Sequence, residues 1–373
     1  MHNVKTFRTD RSESNLRKCC LILLLSALML SNAPAQPGAW VKKTNIPTAR
    51  TGSAACVIND TIYLLGGMGP TGSDLPTNEM FDPLTNTWQH KRSMPTARGF
   101  LSAAAVHGII YAIGGGYPSS KYNVEAYDPA TDTWTPKKNM LNARLGAHAA
   151  VVDGIIYNIG GNYSERNCEA YDPATDTWTA RTPMPESGGV VATVVWNGLI
   201  YVFGGGYYTT YNTLYVYDPK ANYWTKKSDM LTGRFAFQAY VVDGKIYAVG
   251  GAPQEHKSLA TVEIYDPATD SWDMKANMPE KASWFAGAVA GGKIYLMGGT
   301  PEWLTGGVSV WEYDPAYHSD IAAGEVSGIW TTSASPYHIN GEIAVPNAAT
   351  LTIEPGVEVV FNQFSPFSTY SRF

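Results

Sequence analysis

Charge and cysteine are both scarce in this sequence, and their scarcity excludes several classes of protein. Charged residues make up 16% of the 373 residues, no run of Lys or Arg occurs, and four cysteines are present. Removing the five basic and two acidic residues of positions 1–35 leaves 22 basic and 30 acidic residues, a net charge of −8. An acidic body without a basic cluster argues against nucleic-acid binding, where neutralisation of phosphates dominates affinity.

Long apolar runs are almost absent, and the one that occurs lies near the N-terminus. Cys19–Leu30 is apolar, follows the basic pair Arg17-Lys18 and precedes the small residues of Ala33-Pro34-Ala35. This order predicts a signal peptide over residues 1–35, cleaved near Ala35, and a secreted or periplasmic protein. The run is too short for a comfortable membrane span, and no later segment approaches the ~20 apolar residues that a span requires. We therefore expect no membrane span.

The sequence also lacks helical periodicity, and it contains a repeated ten-residue phrase instead. The ten residues Glu125–Trp134 recur unchanged as Glu169–Trp178. The anchoring tryptophans stand at positions 40, 88, 134, 178, 224 and 272, so the spacing is 44 to 48 residues. A fixed period of this length is typical of a repeat architecture.

Each repeat contains the same short signals in the same order. A tight turn such as Asp153-Gly154 is followed by Ile-Tyr and a glycine pair, then by a loop, the Tyr-Asp-Pro phrase and the tryptophan. These signals predict four short strands per repeat, which is the blade of a β-propeller. The motifs resemble the kelch repeat from about Trp40 to Pro315. The resemblance implies an all-β, six-bladed kelch-type propeller over residues 36–318.

Strand counting predicts how the propeller closes. The sixth repeat reaches Tyr313-Asp314-Pro315 but lacks the Thr-Asp-Thr-Trp segment that forms a fourth strand. The N-terminal segment Trp40–Ile46 is a spare fourth strand in the matching register. Pairing the two would complete the sixth blade and remove the open edges.

A different composition begins at residue 319. The segment Ser327–Phe361 alternates apolar residues between prolines and glycines, and it resembles the opening coil of a right-handed parallel β-helix of exported proteins. Such coils are stable when several stack. We therefore expect residues 319–373 to be a linker and a partial, truncated β-helix-like segment, and the propeller to be a monomeric part of a longer chain.

The residues that could carry catalysis are dispersed. The seven histidines show no metal-ligand spacing, and Cys56 and Cys168 fall in different repeats, so neither a disulfide nor a bound metal or cofactor is expected. The copper radical oxidases that use a similar propeller require a Tyr, His and Cys set that has no match here. Periplasmic six-bladed kelch proteins with sugar epimerase activity offer a second enzymatic alternative, although no acid–base constellation for it is visible.

One repeated position favours binding. Four repeats carry an arginine before their innermost strand, and in the kelch family this loop lies at one mouth of the channel. Tyr-rich loops after the glycine pairs should open on the same face, and Arg with Tyr or Trp is typical of binding hot spots. The candidate residues are Arg50, Arg98, Arg144, Arg234, Tyr117, Tyr163, Tyr207, Tyr208 and Trp303. The Glu residues at 79, 125, 169 and 263 are interpreted as scaffold, and His148 and Gln238 are expected to line the channel.

Two hypotheses from different classes follow. The first is a secreted binding module that recognises a protein segment or a glycan at the channel mouth, with a preference for acidic partners because of the arginines. The second is a carbohydrate-active enzyme that works in the same channel.

Overall fold

Each sequence repeat folds into a four-stranded antiparallel sheet. The structure is a computed structural model that describes residues 40–162, 165–206, 209–301 and 306–315, and short strands between residues 319 and 361. Residues Trp40–Ala316 form one compact unit. Its strands are β1 Trp40–Lys42, β2 Ala54–Ile58, β3 Thr61–Leu65, β4 Asn78–Asp82, β5 Thr87–Lys91, β6 Ser102–Val106, β7 Ile109–Ile113, β8 Val124–Asp128, β9 Thr133–Lys137, β10 His148–Val152, β11 Ile155–Ile159, β12 Cys168–Asp172, β13 Thr177–Ala180, β14 Ala192–Trp196, β15 Leu199–Phe203, β16 Leu214–Asp218, β17 Tyr223–Lys227, β18 Gln238–Val242, β19 Lys245–Val249, β20 Val262–Asp266, β21 Ser271–Lys275, β22 Ala286–Ala290, β23 Lys293–Met297 and β24 Val310–Tyr313.

Six blades follow from the pairing of these strands. Blades I to V are β2–β5, β6–β9, β10–β13, β14–β17 and β18–β21, each in sequence order from the innermost strand outward. Blade VI has the order β22-β23-β24-β1. The all-β six-bladed propeller predicted from the repeats is confirmed.

The N-terminal strand closes the ring as the sequence predicts. Strand β1 pairs antiparallel with β24, so that Trp40 lies opposite Tyr313 and Val41 opposite Glu312. The rings of Trp40 and Tyr313 are 4.8 Å apart, and the Ile46 side chain that follows is 2% exposed. One blade therefore contains both ends of the propeller sequence.

The repeated Tyr-Asp-Pro phrase both forms a turn and joins neighbouring blades. In blade II the Asp128 carboxylate accepts a hydrogen bond from the Ala130 amide at 2.9 Å, as Asp does in a tight turn. The Asp132 carboxylate accepts from the Tyr127 hydroxyl at 2.7 Å and from the Arg92 amide of blade I at 2.9 Å. The Trp134 indole N–H donates to the Arg92 carbonyl at 2.7 Å. The phrase recurs because its side chains hydrogen-bond each blade that carries it to the preceding blade.

Apolar side chains fill the space between blades. Blade I and blade II meet in a cluster that includes Cys56, Tyr63, Met94 and Tyr127. Both described cysteines are free and buried, and burial raises the pKa of each thiol to about 12. They behave as small core residues, as expected.

A second set of strands follows the propeller in the sequence, and the structure describes only the backbone of these strands. These strands are β25 Ser319–Ile321, β26 Gly324–Glu325, β27 Gly328–Trp330, β28 Tyr337–Ile339, β29 Ile343–Ala344, β30 Leu351–Ile353 and β31 Val359–Phe361. They pair in parallel as β25-β28-β31, β26-β29 and β27-β30. The β-helix-like segment remains a prediction, and the proposed signal peptide lies outside the described residues. In the part of the chain that is described, no helix has the length and hydrophobicity needed to cross a bilayer.

Candidate functional site

The antiparallel order of the strands defines one face of the propeller. In each blade the first strand runs away from this face and the second returns to it. The loops that enter the first strand and those that join the second to the third therefore lie on the same side. We call this side the mouth face: its loops precede β2 and its equivalents, and follow β3 and its equivalents.

The four candidate arginines lie beneath the mouth face, and the expectation that they line an accessible binding surface is wrong. Arg50, Arg98 and Arg234 are 0% exposed, and Arg144 is 1% exposed. Each guanidinium forms an ion pair with a buried glutamate of its own repeat, and the partners are Glu79, Glu125, Glu263 and Glu169 respectively. An arginine without a partner would be too costly to bury, and the glutamate offsets part of that cost.

The hydrogen bonds of blade II show what the buried pair does. Arg98 Nη2 lies 2.9 Å from Glu125 Oε2, and Arg98 Nη1 donates to the carbonyl oxygens of Gly114 and Asn123 at 3.1 and 2.9 Å. The Thr96 hydroxyl donates to Glu125 Oε1 at 2.5 Å. Burial lowers the pKa of Arg98, and the negative charge of Glu125 opposes that shift. The pair ties the two mouth-face loops of one blade together, so it stabilises the scaffold.

Blades IV and VI connect the same two segments with donor and acceptor exchanged: the loop residue is the acceptor and the strand residue is the donor. Gly188 and Ala282 replace the arginine there, and the strand glutamate is replaced by Tyr215 in blade IV and Trp311 in blade VI. In blade IV the exposed Glu186 of the entering loop accepts a hydrogen bond from the Tyr215 hydroxyl. In blade VI Trp311 Nε1 donates to Glu280 of the equivalent loop position at 3.3 Å. The arginine and its glutamate are therefore present or absent together.

A ring of backbone hydrogen bonds crosses the blades at the mouth. It is formed by the residue two positions after each arginine site. In each bond the backbone N–H of one ring residue donates to the backbone C=O of another. The N–H of Trp284 donates to Ala236 at 2.9 Å, that of Gly52 to Trp284 at 2.7 Å, that of Phe100 to Gly52 at 2.7 Å and that of Gly146 to Phe100 at 2.7 Å. These bonds connect five of the six blades.

Aromatic side chains pack around this ring and cover the channel. The rings of Phe100 and Trp284 lie 4.8 Å apart at an angle of 78°, and Phe235 lies 6.0 Å from Trp284. All three are at most 7% exposed and belong to one apolar cluster with Val190 and Leu145. The sequence analysis did not select these residues. Phe100 and Trp284 both stand two residues after the arginine position of their repeats, and this shared position was the signal that could have found them.

Below the ring the channel holds a cavity of about 40 Å³. Polar side chains on its wall come from Ser53, His148 and Gln238, and within the described residues no carboxylate lines it. His148 Nε2 lies 2.9 Å from Gln238 Oε1 and His148 Nδ1 lies 2.9 Å from the Thr193 hydroxyl. Burial lowers the pKa of His148. His148 and Gln238 therefore line the channel as predicted, and they bond to each other across blade IV.

Exposed apolar side chains concentrate on the mouth face. Tyr117 is 46% exposed, and its ring lies 6.0 Å from that of Phe100. The other predicted contact residues, Tyr163, Tyr207, Tyr208 and Trp303, lie outside the described residues. Of the eight large hydrophobic side chains that the described residues expose, five are on mouth-face loops: Tyr117, Tyr122, Leu141, Leu231 and Val308.

The described residues contain no group of three or more His, Cys, Asp and Glu side chains that could hold a metal ion. What they place on the mouth face is an apolar surface around a small channel cavity. This arrangement is suited to contact with a partner's surface.

Comparisons with known proteins agree with this architecture. Residues 38–188 match the model of the KLHDC2/KLHL20/DRC7 Kelch-repeats domain, and residues 191–231 and 234–279 match the Kelch motif. No curated protein matches the chain. The structure is similar to one described as "Structure of YjhT", with 16% sequence identity and a TM-score of 0.62 over 72% of this chain and 95% of that one. At this identity the likeness shows the fold alone. Since the Kelch models together match more than half of the chain, it belongs to the Kelch-repeat β-propellers.

Proposed function

We propose that this propeller is a binding module that recognises a segment of another protein on its mouth face. The observation that carries the proposal is the concentration of exposed Tyr117, Tyr122, Leu141, Leu231 and Val308 on that face. Aromatic and aliphatic side chains that are exposed in the free protein are the groups that gain most from burial at an interface.

The small volume of the channel cavity supports surface recognition rather than catalysis in the channel. Phe100 and Trp284 pack over the ring of backbone bonds, and the cavity below measures about 40 Å³. Small-molecule sites are usually clefts of ~300–1,000 Å³. A monosaccharide would need a larger space than this cavity provides.

The four arginines give no reason to prefer an acidic partner. Each guanidinium charge is balanced by a glutamate inside the protein. A neutralised buried pair produces little field at the surface, so apolar contact is the main contribution that we assign to the mouth face.

The proposal is tested by selecting a phage-displayed random peptide library on the purified propeller. The mouth-face variant combines Tyr117→Ser, Tyr122→Ser and Leu141→Ser. The control combines Leu84→Ser and Tyr223→Ser, which lie 96% and 66% exposed at turns on the opposite face. Selected peptides should bind the wild type and the control and lose binding to the mouth-face variant. Enrichment of no peptide, or equal binding to both variants, would contradict the proposal.

A glycan array probed with the same three proteins distinguishes the alternative ligand class. Glycan binding that is lost in the mouth-face variant, together with no peptide enrichment, would assign the face to carbohydrate. The release of a modified sugar by the wild type would instead indicate an enzyme.

Export is a further part of the proposal. It is supported by the basic pair, the apolar run Cys19–Leu30 and the small residues that end at Ala35. N-terminal sequencing of the protein recovered from the periplasm or the medium should begin at Gln36. Retention of Met1 in a cytoplasmic protein would contradict export.

A further inference from the structure

The ring of backbone hydrogen bonds at the mouth is interrupted at blade IV. The position equivalent to Gly52, Phe100 and Ala236 is Val190. Neither its N–H nor its C=O bonds to a neighbouring ring residue, and the C=O of Gly146 and the N–H of Ala236 have no hydrogen-bond partner among the described residues. Blade IV is therefore joined to the ring on neither side.

Backbone conformation explains the interruption. The other five ring residues have positive φ, with values of 60° at Gly52, 52° at Phe100, 67° at Gly146, 52° at Ala236 and 56° at Trp284. In blade IV the positive φ of 50° falls on Gly189, one residue earlier. A β-branched valine strongly disfavours positive φ, whereas the preceding glycine adopts it without cost.

The neighbouring bonds are also displaced by one residue, toward the N-terminus for the donor Gly206 and toward the C-terminus for the donor Gly161. In blade II, Gly116 donates to the carbonyl of Gly99, the residue after Arg98, whereas in blade IV Gly206 donates to Gly188, which occupies the arginine position itself. The amide of Gly161 in blade III donates to Gly189 at 2.7 Å, while the equivalent Gly115 donates to Arg144. The sequence Gly188-Gly189-Val190 has thus refolded this loop relative to the other five.

The unpaired groups at the interruption are buried. Val190 and Ala236 are each 5% exposed, and both line the cavity together with Gly146. The Ser53 hydroxyl on the same wall is also buried and has no hydrogen-bond partner in the part of the chain that the structure describes. Buried N–H, C=O and hydroxyl groups are satisfied in nearly all native proteins, because each unsatisfied group costs about 1–3 kcal/mol.

We propose that this interruption is a built site for ordered water. A water molecule can donate two hydrogen bonds and accept two. Water can therefore bridge the Gly146 C=O to the Val190 N–H, and the Val190 C=O to the Ala236 N–H. A site holds a water when it is polar and offers at least about 10–15 Å³. The cavity of about 40 Å³ meets this requirement and leaves no room for a larger ligand. Water completes the ring that the backbone of blade IV cannot complete.

The side chains beneath the interruption reinforce the same seam. The His148–Thr193 contact joins blade III to blade IV, and the His148–Gln238 contact joins blade III to blade V. The residues equivalent to His148 in blades I, IV and VI are the alanines at positions 54, 192 and 286. Blade II carries Ser102 at this position, so the two longer polar side chains, His148 and Gln238, belong to the blades on either side of blade IV.

The test measures contacts between amide protons and bound water by NMR, alongside a crystal structure at high resolution. In the wild type the amides of Val190 and Ala236 should show direct cross-peaks to long-lived water, with matching density in the cavity. The amides of Gly52, Phe100 and Gly146 bond within the ring and should show none. Wild-type protein with no such cross-peaks and no density would overturn the proposal.

Two variants separate the role of the valine from that of the cavity. Val190→Gly removes the side chain that disfavours positive φ, so the ring should close and the water contact of Ala236 should be lost. Val190→Ile keeps the β-branched side chain that disfavours positive φ and should retain that contact. If Val190→Gly retained the water contact, the conformational cause assigned to Val190 would be wrong.

Discussion

The hydroxyl of Tyr240 in blade V fills the space that a side chain at Gly287 of blade VI would occupy. A methyl group at Gly287 would overlap the Tyr240 hydroxyl oxygen. The hydroxyl is fully buried at this seam and has no hydrogen-bond partner among the described residues. Tyr240 and Gly287 therefore form a steric match between two blades, with an unsatisfied polar atom at its centre.

We expect Tyr240→Phe to raise the free energy of unfolding by about 1 kcal/mol, because it removes a buried hydroxyl that makes no hydrogen bond. The matched control is Tyr217→Phe, which loses a 2.6 Å bond to Asn222 and should lower stability by about 1 kcal/mol. Urea denaturation measures both. A loss of stability in Tyr240→Phe as large as in the control would show that the hydroxyl is satisfied.

Gly287→Ala should lower stability by about 1–3 kcal/mol, because the added methyl group would overlap both the Tyr240 hydroxyl and the backbone carbonyl oxygen of Tyr295. The double variant Gly287→Ala with Tyr240→Phe should lose less, since the Tyr240 hydroxyl oxygen is gone. The urea midpoints of the single and double variants measure this coupling. Equal losses of stability in the two variants would show that the two residues are not energetically coupled.

Removing one member of a buried ion pair should be far more damaging than removing an exposed carboxylate. Glu125→Ala leaves the Arg98 guanidinium buried without its counter-charge and should cost about 3–5 kcal/mol. Arg98→Met combined with Glu125→Leu should cost less than Glu125→Ala alone, because no uncompensated charge remains. Asp273→Ala, at an exposed position of strand β21, should change stability by less than about 0.5 kcal/mol. A small effect of Glu125→Ala in denaturation measurements would show that the pair is dispensable.

Stability should fall as the pH drops below about 6.5, and His148 should contribute to the fall. Burial lowers the pKa of His148 from its ordinary value of 6.5, so the unfolded chain binds a proton in a pH range where the native state does not. Stability is therefore complete above the unfolded pKa and decreases from there down to the native pKa. His148→Gln should flatten this part of the pH profile of the melting temperature. An unchanged slope in His148→Gln would contradict this contribution.

Deleting residues 36–46 should lower the melting temperature strongly and make the propeller sensitive to protease. The deletion removes β1, its ladder with β24 and the buried Ile46, so that blade VI loses its outer strand. Lys42→Ala, an exposed change within β1, should have little effect. An unchanged melting temperature after the deletion would contradict closure by this strand.

Deleting residues 319–373 should leave the propeller folded. The compact unit ends at Ala316, and blade VI is completed by β1 and β24. Circular dichroism and the urea midpoint of the shortened chain measure this. A chain that fails to fold after this deletion would place the boundary of the propeller further along the sequence.

The repeats by themselves determined the blade architecture. Turn residues, glycine pairs and the Tyr-Asp-Pro phrase are local signals, and their fixed spacing gives six copies of one four-stranded unit. Closure by Trp40–Lys42 was also predictable, because a missing strand at one end of the sequence matches a spare strand at the other. These properties depend on the order of residues along the chain.

The fate of the four arginines was decided by tertiary structure. A polar residue that recurs at one position can line a surface or fill an interior, and the choice depends on whether a partner of opposite charge is buried with it. For Arg98 that partner is Glu125, which lies on a different strand. The joint loss of both residues in blades IV and VI was visible in the sequence, but it pointed to a pair only once the two side chains were seen in contact.

The hydrogen bonding at the channel mouth was likewise decided by the tertiary structure. The sequence marks the positions after each arginine, but ring closure depends on whether each backbone adopts positive φ and meets its neighbour across a blade. Val190 differs from Ala236 by its branched side chain, and that difference moves the positive φ to Gly189. The sequence thus determined which blades exist and in what order, while interblade packing and hydrogen bonding determined which residues remain exposed for a partner.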